Sequence, residues 1–284
     1  MRCSAIRPGR ANNGWEVVVT GQQLSSLGGA VAVVTGAGRG IGRAIALHLA
    51  RDGATVVVSS RTSGDLESVV TQVVAEGGRA LHVVADSMDR DQAKAPVRAA
   101  IETFGRIDVL VNNVGGRLSA QHFDVDQDPY TCDDGIVEAV VTLNLFSAWW
   151  ATREALPHMR AQHRGRIINI GSGVATRAGG SVGYTAAKHG LVGLTKALAT
   201  NTAKHGITVN CLCPGWTNSW HDWDARGAVR GISGEEARRH AEGENLVGRL
   251  IEPEEYGPMV LLLASAAGAA ITGQVINVDG GYKI

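Results

Sequence analysis

A chain of 284 residues with 44% hydrophobic content can bury a sizeable core, and its length allows one large α/β domain or two small ones. Lys plus Arg and Asp plus Glu number 27 each, so no charge excess points to nucleic acid or to a solvating acidic segment. No apolar run approaches the ~18 residues of a membrane helix. The four cysteines, Cys3, Cys132, Cys211 and Cys213, lack the two-residue spacing of redox or zinc motifs, which reads as reduced thiols in a cytoplasmic protein.

Residues 1–26, "MRCSAIRPGRANNGWEVVVTGQQLSS", hold an early basic cluster but neither the apolar core nor the small-residue cleavage site of a signal peptide. They read as an N-terminal extension, either a disordered arm or the product of an upstream start codon. From residue 27 onward, short runs rich in Val and Ile alternate with helical patterns. The runs fall at 30–36, 54–60, 80–86, 107–113, 165–172, 207–215 and 274–281. Between them lie stretches such as "IGRAIALHLARDG" and "YTAAKHGLVGLTKALATNTAKHG"; in the second, Leu191, Leu194 and Leu198 recur at helical spacing. Such strands, buried on both faces and separated by helices, imply a doubly wound α/β domain with seven parallel strands. Cys211 and Cys213 are expected on opposite faces of the sixth.

The first run leads into "VVTGAGRGIGRA". Gly36, Gly38, Gly40 and Gly42 fit no frame of G-x-G-x-x-G, but Gly36, Gly40 and Gly42 give G-x-x-x-G-x-G. The physics is shared. A strand ends, the backbone of Gly38, Arg39, Gly40 and Ile41 turns without Cβ obstruction, and a helix N-terminus offers N–H groups to a pyrophosphate. The second run ends "VVVSSRTSGD". Ser59 and Ser60 stand where an acid would hold the ribose 2′-OH of NAD, and Arg61 follows. Arg39 and Arg61 favour a 2′-phosphate, hence NADP(H), with NAD(H) as the alternative. Two stretches then break the rhythm, 115–135 and 215–250, both after strand C-termini, where open α/β sheets bind ligands. The second carries Trp216, Trp220 and Trp223 and reads as a lid over a substrate cleft.

These pieces together resemble the short-chain dehydrogenase/reductase family over roughly 27–284. "TGAGRGIG" looks like its cofactor turn, and "AD" at 85–86 like the acid that holds adenine. "NNVG" (112–115) is close to its N-N-A-G. "LNLF" supplies Asn144, "NIGSG" supplies Ser172 with Gly173 beside it, and "YTAAK" (184–188) matches its Y-x-x-x-K. "CPGWTNS" (213–219) resembles its segment beside the nicotinamide. The resemblance implies a Rossmann-type fold and cofactor contacts from Asp86, Ser87, Asn113, Gly115, Pro214, Gly215 and Thr217, as well as the glycine turn. It implies catalysis by Asn144, Ser172, Tyr184 and Lys188. Tyr184 is the general acid/base, Lys188 also holds the nicotinamide ribose, Ser172 binds the substrate oxygen, and Asn144 bends its helix and holds a relay water. Part of this has a physical basis in the residues. Tyr184 and Lys188 lie one helical turn apart, and an ammonium beside a phenol favours the phenolate.

The departures are few. Ser172 and Tyr184 stand twelve apart, one fewer than is commonest in the family, and Ser219 replaces a threonine. The stretch after Asn113 is several residues longer than usual and holds His122, Tyr130 and Cys132, expected at a rim or a subunit contact. Ketone reduction or secondary-alcohol oxidation on a small molecule is implied, in a homotetramer or dimer, without metal, membrane or nucleic acid. Alternatives are a 3-oxoacyl-carrier-protein reductase proper, an NAD-dependent alcohol or diol dehydrogenase, and a nucleotide sensor without turnover. A carrier protein would need a basic patch at the cleft mouth, for which Arg117, Arg160, Arg164 and Arg177 are scattered candidates. Gly173 and the three lid tryptophans are the expected substrate lining.

Overall fold

The structure, a computed structural model, describes residues 27–116, 118, 129–177, 179–219 and 222–284. The N-terminal extension, Arg117, His122 and Trp220 lie outside the described residues.

The chain enters β1 (Val31–Thr35), α1 (Gly40–Arg51), β2 (Thr55–Ser60), α2 (Ser63–Ala75), β3 (Arg79–Val84), α3 (Arg90–Phe104) and β4 (Val109–Asn112). After the long excursion come α4 (Asp134–Val141), a π-helical turn (Thr142–Phe146), α5 (Ser147–Ala161), β5 (Gly165–Ile170), α6 (Val182–Thr202) and β6 (Ile207–Pro214). Two helices follow, α7 (Trp223–Val229) and α8 (Gly234–Glu244), then α9 (Gly257–Ala264) and β7 (Val275–Val278). The seven strands form one sheet in the order β3-β2-β1-β4-β5-β6-β7, every pair parallel. All seven sequence runs become strands of this sheet, within three residues at each end.

Period-two alternation explains how one sheet serves two layers. Ala32, Val34, Val56, Val58, Ile168 and Leu212 face α1, α2 and α9, where Ile45, Leu49, Leu66, Val260 and Leu263 meet them. Val31, Val33, Val57, Leu110, Ile167 and Val209 face α3, α5 and α6, where Val97, Ala100, Ala155, Met159 and Leu198 meet them. Each fully buried Leu or Ile contributes about 1.5–3 kcal/mol, so every strand is held from both sides.

The cysteine expectation fails for the same reason that the layers form. Residues two apart in a strand share a face, so Cys211 and Cys213 lie side by side with their Sγ atoms 3.9 Å apart. Gly171 on β5's exit leaves room for both sulfurs, since a Cβ there would come within 2.7 and 2.8 Å of them. The neighbouring Cys213 thiol and burial both push the Cys211 thiol up.

One ion pair ties the segment after α8 to the turn before α9. Arg249 donates from Nη1 and Nη2 to Glu255 at 2.6 and 3.0 Å, and Glu255 also accepts the Glu252 N–H at 2.9 Å. These donors, Arg249 first, hold the Glu255 carboxyl at about 2, below its ordinary 4.5. A depressed carboxyl adds stability above its unfolded value and loses it as pH falls through its folded value. Glu255→Gln should therefore lower the melting temperature modestly at pH 7. The gap between variant and parent should close as pH falls from about 4.5 to about 2, as calorimetry at stepped pH would show.

Candidate active site

The crevice between β1 and β4 opens where the strand order reverses, and the glycine turn fills it. Gly36 has φ 64° and Gly40 has φ 55°, a left-handed conformation that glycine adopts at no steric cost. Asn113, just past β4, fastens the turn: its Nδ2 donates to the carbonyls of Thr35 and Gly36, each at 3.0 Å. Thr35 Oγ1 accepts the N–H of Asn113 at 3.1 Å in return. A Cβ on Gly42 would collide with Asn113 Nδ2 and lie 2.5 Å from the Gly36 carbonyl oxygen. Gly42 is thus a packing glycine that lets α1 begin against the turn, whereas Gly38 sits in the groove. A Cβ on Gly38 would meet Asp65 and Ser60 at 2.9 and 3.0 Å.

A groove of about 580 Å³ runs along the strand C-termini. Of the expected cofactor residues, Gly36, Gly38, Arg39, Ser60, Arg61, Asp86, Ser87, Asn113 and Gly115 all line it. Arg39 is the N-cap of α1 and makes no side-chain capping bond. Asp86 Oδ1 accepts the Met88 N–H at 3.0 Å, and Gln92 Oε1 accepts the Asp86 N–H at 3.0 Å, which shapes the exit of β3. Gly40, Ile41, Gly42, Tyr184, Lys188, Pro214, Gly215 and Thr217 do not line the groove. Gly215 presses on the backbone of Asp279, and Thr217 turns inward, its Oγ1 2.6 Å from the hydroxyl of buried Tyr256. Ser219 takes the place at the groove and would lie 3.0 Å from a Cβ on Gly40. Lining residues beyond those expected include Asp65, Leu143 and Asp222. The first turn of α2 brings Asp65 beside Gly38.

The catalytic candidates do not line the groove themselves but stand behind Gly115, which does. Asn144 is 1% exposed and lies in the π-helical turn. Its side chain is committed to backbone: Nδ2 donates to the carbonyls of Gly116 (2.8 Å) and Val140 (2.9 Å), and Oδ1 accepts the Gly116 N–H (2.8 Å). The bend expected at Asn144 is therefore the π turn itself, which frees the Val140 carbonyl to accept from this side chain. Lys188 is 2% exposed and donates from Nζ to the Ile170 carbonyl at 2.9 Å. Its Nζ also lies 5.6 Å from the centre of the half-buried Tyr184 ring. A Cβ on Gly115 would stand 2.7 Å from Asn144 Oδ1 and 2.8 Å from Lys188 Nζ, so the two side chains converge over that glycine. Ser172 Oγ accepts the Val174 N–H at 3.4 Å, which leaves its own proton free to donate.

The wall beyond Ser172 comes largely from the C-terminus. Tyr282 packs on Gly173, where a Cβ would strike its ring, and stands edge-on to Trp216 at 6.2 Å. Arg177 lies 5.8 Å over the Tyr282 ring and pairs with Asp279 at 2.8 Å. Trp216 is held on its other side by Arg226, 4.1 Å over its ring, with Trp223 6.4 Å away. Its Nε1 donates to Glu244 at 2.6 Å. Gly173, Trp216 and Trp223 thus join one cluster, and Tyr282 is the member that sequence reasoning missed. The single aromatic after the glycine pair 280–281 was the available signal.

Residues 30–229 match the profile of the short chain dehydrogenase family. The chain belongs to that family. It is an enzyme of the oxidoreductase class, in a family whose members use NAD(P)(H). It is 36% identical to a D-beta-hydroxybutyrate dehydrogenase of Cupriavidus necator over 90% of this chain and 98% of that one. It is 34% identical to a 3-oxoacyl-acyl-carrier-protein reductase of Thermotoga maritima over 91% and 99%. A solved chain from Beutenbergia cavernae, described as an NAD(P) dependent gluconate 5-dehydrogenase with NADP bound at low occupancy, superposes with a TM-score of 0.77 at 38% identity, covering 90% of this chain and 97% of that one. No described helix is long and apolar enough to cross a membrane, and no described group of His, Cys, Asp and Glu could hold a metal ion.

For this dehydrogenase, Gly115→Ala is a sharp test of the convergence. A methyl there has no room beside Asn144 and Lys188, so activity should fall at least about tenfold while the melting temperature drops by only a few degrees. Unchanged kcat would mean that the two side chains do not need their present positions.

Proposed function

We propose that the protein is an NADP(H)-dependent oxidoreductase that interconverts a ketone and a secondary alcohol, with Tyr184 as the general acid/base. The observation that carries this reading is the continuity of the groove with the Tyr184–Lys188 pair. Gly115 lines the groove and touches Lys188, and Lys188 in turn lies under the Tyr184 ring. The groove fits a dinucleotide: its floor is a glycine cradle that a Cβ would obstruct, it ends on the uncapped N-terminus of α1, and its volume suits a ligand of that size. A nicotinamide bound there supplies or accepts the hydride at the carbonyl carbon.

The chain's own groups do the rest. Tyr184 gives its phenolic proton to the substrate oxygen in reduction and takes it back in oxidation. The Lys188 ammonium stabilises the phenolate between turnovers. Ser172 O–H donates to the substrate oxygen as charge develops on it. Asn144 acts as a positioning residue: its amide fixes Gly115–Gly116, against which Lys188 rests.

Arg39 and Arg61 line the groove at the end of β2 and support a 2′-phosphate, although Asp65 stands in the same pocket. The names of the two curated relatives support an oxo- or hydroxyacyl substrate. A free small molecule fits better than a carrier-bound one. Arg177 is engaged with Asp279, while Arg160 and Arg164 sit at the other edge of the sheet, where α5 ends and β5 begins. Residues 215–250 serve as a lid in this reading, since Ser219 and Asp222 reach the groove and Trp216 walls the cleft. The proposed assembly is a homotetramer, for which the exposed Phe146, stacked on Trp150 at 6.1 Å, offers an apolar surface; sedimentation would show it.

Two experiments test this. Tyr184→Phe should keep NADPH affinity while turnover of hydroxyacyl and oxoacyl substrates falls by about 10²–10⁴; near-normal turnover would remove Tyr184 from the mechanism. Titration by nicotinamide fluorescence should show NADPH bound more tightly than NADH, and Arg61→Ala should shrink that preference about tenfold. Equal affinity for the two in the parent protein would return the assignment to NAD(H).

A further inference from the structure

At the opposite edge of the sheet, where β5 and β6 begin, lies a second hollow of about 350 Å³, walled by His163, Arg164, Arg166, Thr208 and Thr272. Two turns bring these residues together. His163 has φ 52° and Gly206 has φ 74°, and a Cβ on Gly206 would strike the His163 carbonyl, so the turns into β5 and β6 are pressed against each other. Arg166 and Thr208 are register partners on adjacent strands, so their side chains leave the sheet on the same face. Thr272 Oγ1 accepts the Val209 N–H at 3.1 Å and keeps its own proton to donate.

The charge here is one-sided. Arg160 precedes the wall residues His163, Arg164 and Arg166, Lys204 and His205 precede Gly206, and none of these six basic residues is in an ion pair among the described residues. Arg166 is only 7% exposed, and its guanidinium meets carbonyls alone: Gly165 at 2.9 Å, Gly206 at 3.2 Å and Ser265 at 3.4 Å. Burial, then the neighbouring Arg164, work against its charge. His205 is likewise held below its ordinary value by burial, and further by Arg160, Lys204 and His163. Helix C-termini account for some of these residues, since cations there meet the negative end of the dipole, as at Arg160 in α5 and at Lys204 and His205 in the turn after α6. They do not account for Arg164 and Arg166, which lead into a strand. A buried guanidinium cannot shed its proton, and buried charge is ordinarily paired.

We infer that this hollow is an anion site that takes the phosphate group of a small molecule, remote from the catalytic groove. Arg164 and Arg166 supply charge-assisted donors and Thr208 and Thr272 supply hydroxyls, a set matched to several phosphate oxygens at once. The site is a single hollow of small-ligand size on a chain with no net charge, which suits a phosphate or phosphate ester and not a nucleic-acid track.

Inorganic pyrophosphate is the probe. Calorimetric titration of the full chain should show one site that remains when the cofactor groove is saturated with NADPH. Arg164→Ala, an exposed position, should weaken it at least tenfold and leave NADPH affinity and turnover unchanged; His163→Ala should weaken it less. The His205 imidazole, followed by NMR, should titrate at higher pH when pyrophosphate is bound. Binding lost in Arg39→Ala but kept in Arg164→Ala would place the anion in the cofactor groove and overturn the inference. So would binding abolished by NADPH, or no binding at all.

Discussion

The amide of Asn113 is the contact on which the rest of the site depends. A parallel sheet whose order reverses between β1 and β4 opens a crevice at that point, and nothing in the sheet's own ladder closes it. Asn113 spans the crevice with two hydrogen bonds to the carbonyls of Thr35 and Gly36, and Thr35 returns one to its backbone. Those carbonyls stand where β1 runs into the glycine turn, so the amide fixes the direction in which the chain leaves the strand. The N-terminus of α1, and with it the place where a pyrophosphate would rest, is set by this one side chain.

The same logic repeats two residues on. Gly115 and Gly116 follow Asn113 out of β4, and Asn144 holds the second of them by both N–H and C=O. An α-helix could not spare a carbonyl for this purpose. The π turn at Thr142–Phe146 can, because its wider loop leaves Val140 to accept from Asn144. Helix geometry, a buried amide and a glycine without Cβ therefore act as one unit, and Lys188 rests against it. A change at any of the three would move the ammonium relative to Tyr184, which is a more direct route to lost activity than any loss of stability.

The strands were legible because Val and Ile dominate segments buried on both faces, and the site motifs were legible because glycine, Tyr and Lys stand at spacings whose geometry is local. What escaped was non-local. Thr217 and Ser219 lie two apart on one loop, and only packing decides that Thr217 meets Tyr256 while Ser219 meets Gly40. Tyr282 lies 109 residues from Gly173 in sequence (282 minus 173), and no period connects them. The cysteine reading failed on a simpler point, the side-chain period of a strand, which places Cys211 beside Cys213. The π turn at Asn144 also had no sequence signal beyond the residue itself.

Zero net charge concealed how the charges are arranged. Parallel strands send every preceding turn to one edge of the sheet and every following turn to the other, so residues scattered along the chain are sorted by whether they precede or follow a strand. Arg39, Arg61 and Arg177 follow strands and gather at the catalytic edge, where Asp65 and Asp279 stand beside them. Arg160, His163 and Arg164 precede β5, and Lys204 and His205 precede β6; together they gather at the far edge with no described carboxylate in ion-pair range. Arg160 and Arg164, two of the scattered candidates for a carrier-protein patch, are thereby separated from the cleft by the length of the strands. At ~3.3 Å per residue, the six- and eight-residue strands β5 and β6 put them roughly two to three Debye lengths from the catalytic edge at physiological salt. Charge at that range is screened from a substrate in the cleft, so whatever the far edge binds, it does not steer the reaction through its field.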